Sequence, residues 1–175
     1  SVLVPSRALR ELERLLGSAE ENTLRLGERE ASFEVGELRL TTRLIEGEFP
    51  NYRGLIPASH PNQLTVGRES LVEAVRRVKL MAREPNTPVR LAMSAEGLEL
   101  VAITQDVGQA HEQLDASYSG EELTVAFNPD YLLSGVEVSP GDEITLYTVD
   151  AQKPAVIRAQ GADDFLYLLM PVRVS

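Results

Sequence analysis

Three stretches of the chain begin alike: Val2-Leu3-Val4-Pro5-Ser6-Arg7-Ala8-Leu9, Gln63-Leu64-Thr65-Val66-Gly67-Arg68-Glu69-Ser70-Leu71 and Leu123-Thr124-Val125-Ala126-Phe127-Asn128-Pro129-Asp130-Tyr131-Leu132. Each is a short run of β-favouring residues, then a turn or cap residue, then a helical pattern. Anchored on Val4, Val66 and Val125, the copies are spaced by 62 and 59 residues. A repeat of this kind dictates the architecture before any single element does. The period is too long for a solenoid and suits one βαβββ unit.

The first helix is predicted from Ser6 to Leu16, with Ser6 as N-cap, an apolar stripe of Leu9, Leu12, Leu15 and Leu16, and Gly17 as the stop. The second is predicted from Arg68 to Arg83. Its apolar face is Leu71, Val75, Val78 and Ala82, and Pro85 ends it. The third is short, Pro129 to Leu133, with Pro129 in the first helical position and Ser134-Gly135 closing it. Strand-like runs follow each helix: 23–26, 31–35 and 37–45; then 89–93, 98–103 and 109–117; then 143–148, 155–159 and 165–171. Gly and acidic turns separate them. The fold class is α+β with mostly antiparallel sheet. If two units make a domain, the chain holds one and a half domains.

Charge and composition narrow the function. The 175 residues carry a net charge of −10 and no Cys. That removes disulfide scaffolds, Cys-ligated metals and Cys nucleophiles. No apolar run approaches a membrane span, and no charged-then-apolar leader opens the sequence. The acid is unevenly placed. Residues 121–175 hold 3 basic and 9 acidic side chains, so the excess sits mainly in the last third. Bulk attraction to DNA is excluded by the total, but a local basic face is not. Two such faces are present: Arg7, Arg10 and Arg14 on the first helix, and Arg76, Lys79 and Arg83 on the second. Both sets run i, i+3, i+7 and line one face of a helix. A stripe of this kind neutralises phosphates without reading bases. A solvated face balanced by Glu11, Glu13 and Glu73 is the alternative.

Catalytic signatures are absent. There is no phosphate-binding glycine loop, dinucleotide fingerprint or nucleophile elbow. His60 and His111 lack metal-ligand spacing and are expected to be ordinary surface or edge residues. Acidic turns account for pairs such as Glu46/Glu48 and Asp163/Asp164. Two segments stand out instead. The loop 46–57 places Phe49, Tyr52, Leu55 and Ile56 among Pro and Gly, and the run 168–175 is apolar almost to its end. A final strand with an apolar groove beside it is expected there, with Met170 suited to varied peptides.

These segments carry a family resemblance. Glu46-Gly47-Glu48-Phe49-Pro50-Asn51-Tyr52, then Tyr118-Ser119-Gly120 followed by 125–132, then Tyr167-Leu168-Leu169-Met170-Pro171-Val172-Arg173, resemble the bacterial sliding clamps, the β subunits of DNA polymerase III. The likeness runs through essentially the whole chain. It implies the DNA-clamp fold: repeated βαβββ units, helices facing the hole of a ring and sheets outside. It also implies that residues 1–57 are the second half of a middle domain, 58–62 a link and 63–175 a C-terminal domain. The sheet of residues 1–57 would then keep an unpaired edge.

Further expectations rest on that resemblance. The family docks short linear motifs of the replicative polymerase, the clamp loader, other polymerases and repair proteins in an apolar pocket. The matching positions here are Pro50, Gly54, Leu55, Asn128, Tyr131, Pro154, Leu168, Met170, Pro171, Val172 and Arg173. The position of Gly54 is often Arg in relatives. The full-length family subunit forms a homodimeric ring. Leu80 and Met81 match an apolar pair in its interface, and Asp106 and Glu112 match acidic partners there. Duplex DNA would be held without sequence preference, with Arg7 at a position the family uses for it. Arg10, Arg14, Arg76, Lys79 and Arg83 extend that set by spacing alone. The resemblance implies a processivity factor, not an enzyme, in the cytoplasm, with no metal, cofactor or membrane. A peptide-binding adaptor of the same fold, without a DNA role, is the rival reading.

Overall fold

The structure, a computed structural model, describes residues 2–17, 21–82, 87–104 and 108–173. The chain divides into two compact units, Ser1–Asn51 and Tyr52–Ser175.

The first unit holds α1 (Ser6–Leu16) and an antiparallel meander of β1 (Asn22–Leu26), β2 (Glu30–Val35) and β3 (Leu38–Arg43). Alternation decides which face of β2 is inside: Ala31, Phe33 and Val35 are buried while their neighbours are not. The residues before α1 add one isolated bridge, Leu3 to Ile45. One helix over three strands covers little. Only Ala8 of α1 is buried, and Leu9 and Leu16 of the expected stripe are exposed. Every residue of β1 is exposed, and its outer edge pairs with no strand among the described residues.

The second unit opens with a 3-10 turn, Tyr52–Leu55. It continues through β4 (Asn62–Gly67), α2 (Arg68–Lys79), β5 (Val89–Ser94), β6 (Gly97–Thr104), β7 (Gly108–Leu114), β8 (Ala116–Ser119), β9 (Leu123–Phe127), α3 (Pro129–Glu137), β10 (Glu143–Thr148), β11 (Ala155–Ala159) and β12 (Ala162–Leu169). Two antiparallel sheets result, ordered β12-β11-β10-β4-β8 and β7-β6-β5-β9. The two repeat copies exchange their leading strands. β4, from one copy, pairs with β10 of the other, setting Val66 opposite Ile144. β9 pairs with β5, setting Val125 opposite Leu91. The anchor valines are therefore the register points of the domain. Leu71, Val75 and Val78 of α2, Leu132 and Val136 of α3, and the inner faces of both sheets share one core around Phe127.

The α+β class and the repeated unit hold, and four local expectations change. Pro5, not Ser6, is the N-cap of α1, and no side chain caps it. α2 ends at Lys79 with Leu80 as its C-cap, short of the expected Arg83; Arg83 and Pro85 lie outside the described residues. α3 continues past Ser134-Gly135 to Glu137. Its Ser134 hydroxyl donates back to the Asp130 carbonyl at 2.8 Å, and Gly135 gives room for the Tyr167 ring. The run 109–117 is two strands, because the chain leaves one sheet for the other at Asp115.

His60 also departs from expectation. It is partly buried, packs against Tyr147 with the rings tilted at 53° and their centroids 5.3 Å apart, and keeps a buried Nδ1 with no hydrogen-bond partner among the described residues. Burial, and then the charge of Arg158, hold its pKa below the ordinary value. An unfolded chain therefore protonates it first, so stability should fall as the pH drops through about 6.5. Glu34, Glu112 and Asp150, whose carboxyls are held low by their Arg or backbone N–H partners, act only in the lower carboxylate range. Urea melts between about pH 7.5 and 5.5 separate the two windows. His60→Phe should flatten the dependence; an unchanged slope in that variant would assign it elsewhere.

Candidate functional site

A groove of about 410 Å³ lies in the second unit, between the start of α3 and the segment that leaves β12. Its construction begins at Asn128. This residue is the N-cap of α3, and its Oδ1 accepts from the Asp130 N–H at 2.8 Å and the Tyr131 N–H at 3.3 Å. Pro129 in the first turn fixes the entry. The cap directs the Tyr131 ring outward, where it is 62% exposed. Gly135 carries no side chain, so the Tyr167 ring rests on α3 and its hydroxyl donates to the Tyr131 carbonyl at 2.9 Å. Burial, with Tyr131 nearby, raises the Tyr167 pKa, so the phenol is a neutral donor. Beyond β12 the Val172 N–H donates to the Ala126 carbonyl at 2.8 Å, tying the closing segment to β9. Met170 is left 55% exposed beside Pro171.

The groove therefore unites Asn128, Tyr131, Leu168, Met170, Pro171 and Val172. Tyr167 and Leu169 also line it, although sequence reasoning did not name them as site residues. Tyr167 is an aromatic residue within the closing motif, and that was the available signal. Gly54 and Leu55 lie in the 3-10 turn, Pro154 precedes β11, Arg173 is exposed beyond the groove, and Pro50 belongs to the first unit. None of the four in the second unit lines the cavity. A larger hollow of about 510 Å³ in the first unit has charged walls, including Glu28, Arg29 and Arg43. The smaller groove is the better candidate, because two aromatic rings and an exposed thioether offer apolar area with polar tips.

The basic faces differ from each other. Arg7 and Arg10 are exposed and pair with no carboxylate among the described residues; Arg14 meets Glu11 at 3.1 Å. On α2, Arg76 pairs with Glu137 at 2.9 Å and Lys79 pairs with Asp130, both from α3. Arg77 is held by Glu112 of β7 at 2.7 Å and 3.1 Å, which lowers the Glu112 pKa and raises that of Arg77. Leu80 is 72% exposed, while Met81 packs half-buried against the core and its carbonyl accepts from the Thr104 hydroxyl. Asp106 and Arg83 lie outside the described residues. Among the described residues no cluster of His, Asp and Glu is placed to hold a metal ion, and no helix is long and apolar enough to cross a membrane.

Comparison with known proteins matches this geometry. The family model for the DNA polymerase III beta subunit, C-terminal domain, matches residues 53–173, and that for its central domain matches residues 1–51. The chain is 34% identical over 179 residues to the beta sliding clamp of a Synechocystis species, and 37% identical over 184 residues to that of Streptomyces coelicolor. These alignments take in 99% of this chain but 46% and 49% of the relatives, so the chain spans about half their length. A Bartonella birtlesii sliding clamp solved with griselimycin superposes with a TM-score of 0.87 at 35% identity, covering 99% of this chain and 47% of that one. The Bacillus subtilis clamp gives 0.85 at 29% identity, with the same coverage. With both units matched in order and the strand-exchanged repeat in place, the chain belongs to the family of bacterial beta sliding clamps, the beta subunits of DNA polymerase III.

Proposed function

We propose that the chain serves as part of a sliding clamp, a processivity factor that holds a replicative polymerase on duplex DNA and performs no bond chemistry itself. On this reading residues 1–57 form the second half of the middle domain, 58–62 the link and 63–175 the C-terminal domain of a ring-forming homodimer in the bacterial cytoplasm. The observation that carries the reading is the groove of Tyr131, Tyr167, Met170 and Pro171. An apolar side chain of a linear peptide fits against the two rings. The Asn128 amide, whose oxygen is already engaged in capping, has N–H groups with which to donate to a peptide carbonyl.

Partners of this groove would be short motifs of the polymerase, the clamp loader and repair proteins, and griselimycin, the compound bound to the Bartonella birtlesii clamp, is a further ligand to expect. Phosphate contacts would fall to Arg7 and Arg10, which form no ion pair with a carboxylate among the described residues. That favours the clamp over an adaptor with no DNA role. Leu80 and Glu112 would belong to the dimer face. Fluorescence titration with a labelled peptide from the clamp-binding segment of a replicative polymerase tests the groove. Tyr131→Ala and Met170→Ala should each cost about 2 kcal/mol, roughly thirtyfold in affinity. Unchanged affinity in both variants would overturn the assignment.

A further inference from the structure

We propose that Asp130 and Glu137 of α3 are attenuating residues: they neutralise the basic face of α2 and keep its grip on DNA phosphates weak. The inference rests on the DNA-encircling reading and adds a residue-level control to it.

The pairing joins two repeat copies. α2 and α3 lie against each other, with Glu137 opposite Arg76 and Asp130 opposite Lys79. The order of partners reverses along the helices, so they run antiparallel. Asp130 and Glu137 are seven residues apart and share one face of α3, a helix with no basic residue. Both pairs are largely solvent-exposed. Exposed pairs of this kind add little to folding stability, so stability is a poor reason for placing two of them side by side.

Their electrostatic effect is larger. A phosphate that approaches Arg76 or Lys79 must displace a carboxylate and then remain beside its negative charge. Two cations and two anions leave this patch with no net attraction. α1 differs, because Arg7 and Arg10 have no such partners among the described residues. Phosphate attraction should therefore concentrate on α1, with α2 contributing little. A protein that must slide needs contacts that break as readily as they form, and each neutralised phosphate steepens the salt dependence of binding.

The test is anisotropy of a labelled DNA duplex with the 175-residue chain, titrated at several salt concentrations. D130N/E137Q should bind about tenfold more tightly at low salt, and its log–log salt slope should steepen by about one to two. Adding R76Q/K79Q should remove that gain. E121Q/E122Q changes net charge equally without freeing a cation, and should leave the slope unchanged. Thermal melts should show D130N/E137Q as stable as the parent. A parent-like slope in D130N/E137Q, or a gain that survives R76Q/K79Q, would overturn the proposal. In either case, weaker binding by R7Q/R10Q would still uphold the DNA reading. Absence of salt-dependent binding in the parent and every variant would remove both.

Discussion

Gly135→Ala should destabilise the second unit by about 1–3 kcal/mol and weaken peptide binding in the same protein. The sign is the informative part. In an exposed helix interior the same change stabilises by about 1 kcal/mol, because alanine loses less backbone freedom on folding. Here an added Cβ would lie 2.6 Å from Cε1 of Tyr167 and 2.8 Å from its Cγ. Contact with Cγ means that the whole ring must move, not merely its tip. The ring is tied to this same helix, one turn earlier, by the bond from its hydroxyl to the Tyr131 carbonyl at 2.9 Å. Displacing it breaks that bond and disturbs two walls of the groove together. Urea melts of Gly135→Ala, alone and with Tyr167→Leu, separate the effects. The double variant should recover stability without recovering peptide affinity. A Gly135→Ala protein more stable than the parent would mean that Tyr167 does not rest on α3.

Asn62→Ala should cost more, about 2–4 kcal/mol, because it strands two backbone groups. Asn62 is buried at the start of β4. Its Nδ2 donates to the Val149 carbonyl at 3.1 Å, and its Oδ1 accepts from the Glu121 N–H at 3.1 Å. One side chain thus clasps the ends of three segments separated by 59 and 87 residues. Gly120 is part of the same device. Its φ of +137° is costly for other residues, and a Cβ there would lie 2.9 Å from the Asn62 Cα. Gly120→Ala should therefore destabilise on its own. The double variant should fall short of the sum, since removing the Asn62 amide relieves part of the clash but not the φ strain. Full additivity in a double-mutant cycle would contradict the clasp.

These two sites mark the limit of what the sequence makes legible. The anchors Val4, Val66 and Val125, the helix starts and most strands follow from local periodicity and turn chemistry, which are short-range signals. The exchange of β4 and β9 between copies is not local, because nothing in either strand names its partner. Ser134-Gly135 reads as a helix stop by propensity. The structure overrides it, because Tyr167, distant in sequence, occupies the space that glycine leaves. The basic stripes of α1 and α2 look equivalent at i, i+3, i+7. They are not, since the carboxylates that offset Arg76 and Lys79 lie 61 and 51 residues further along. The groove was partly legible. Met170 stood out as a thioether in the apolar closing run and Tyr131 entered through the family resemblance, while the role of Tyr167 depends on packing against a helix.

On the proposed function, the groove beside α3 and the end of β12 receives a linear peptide. Methyl NMR of the Met170 Cε group reads it directly, because that methyl belongs to a side chain 55% exposed at the groove. Titration with the clamp-binding peptide of a replicative polymerase should shift the Met170 signal progressively to saturation. Met93, buried in the core, should stay in place. A peptide that binds without moving Met170, or that fails to bind, would contradict the account.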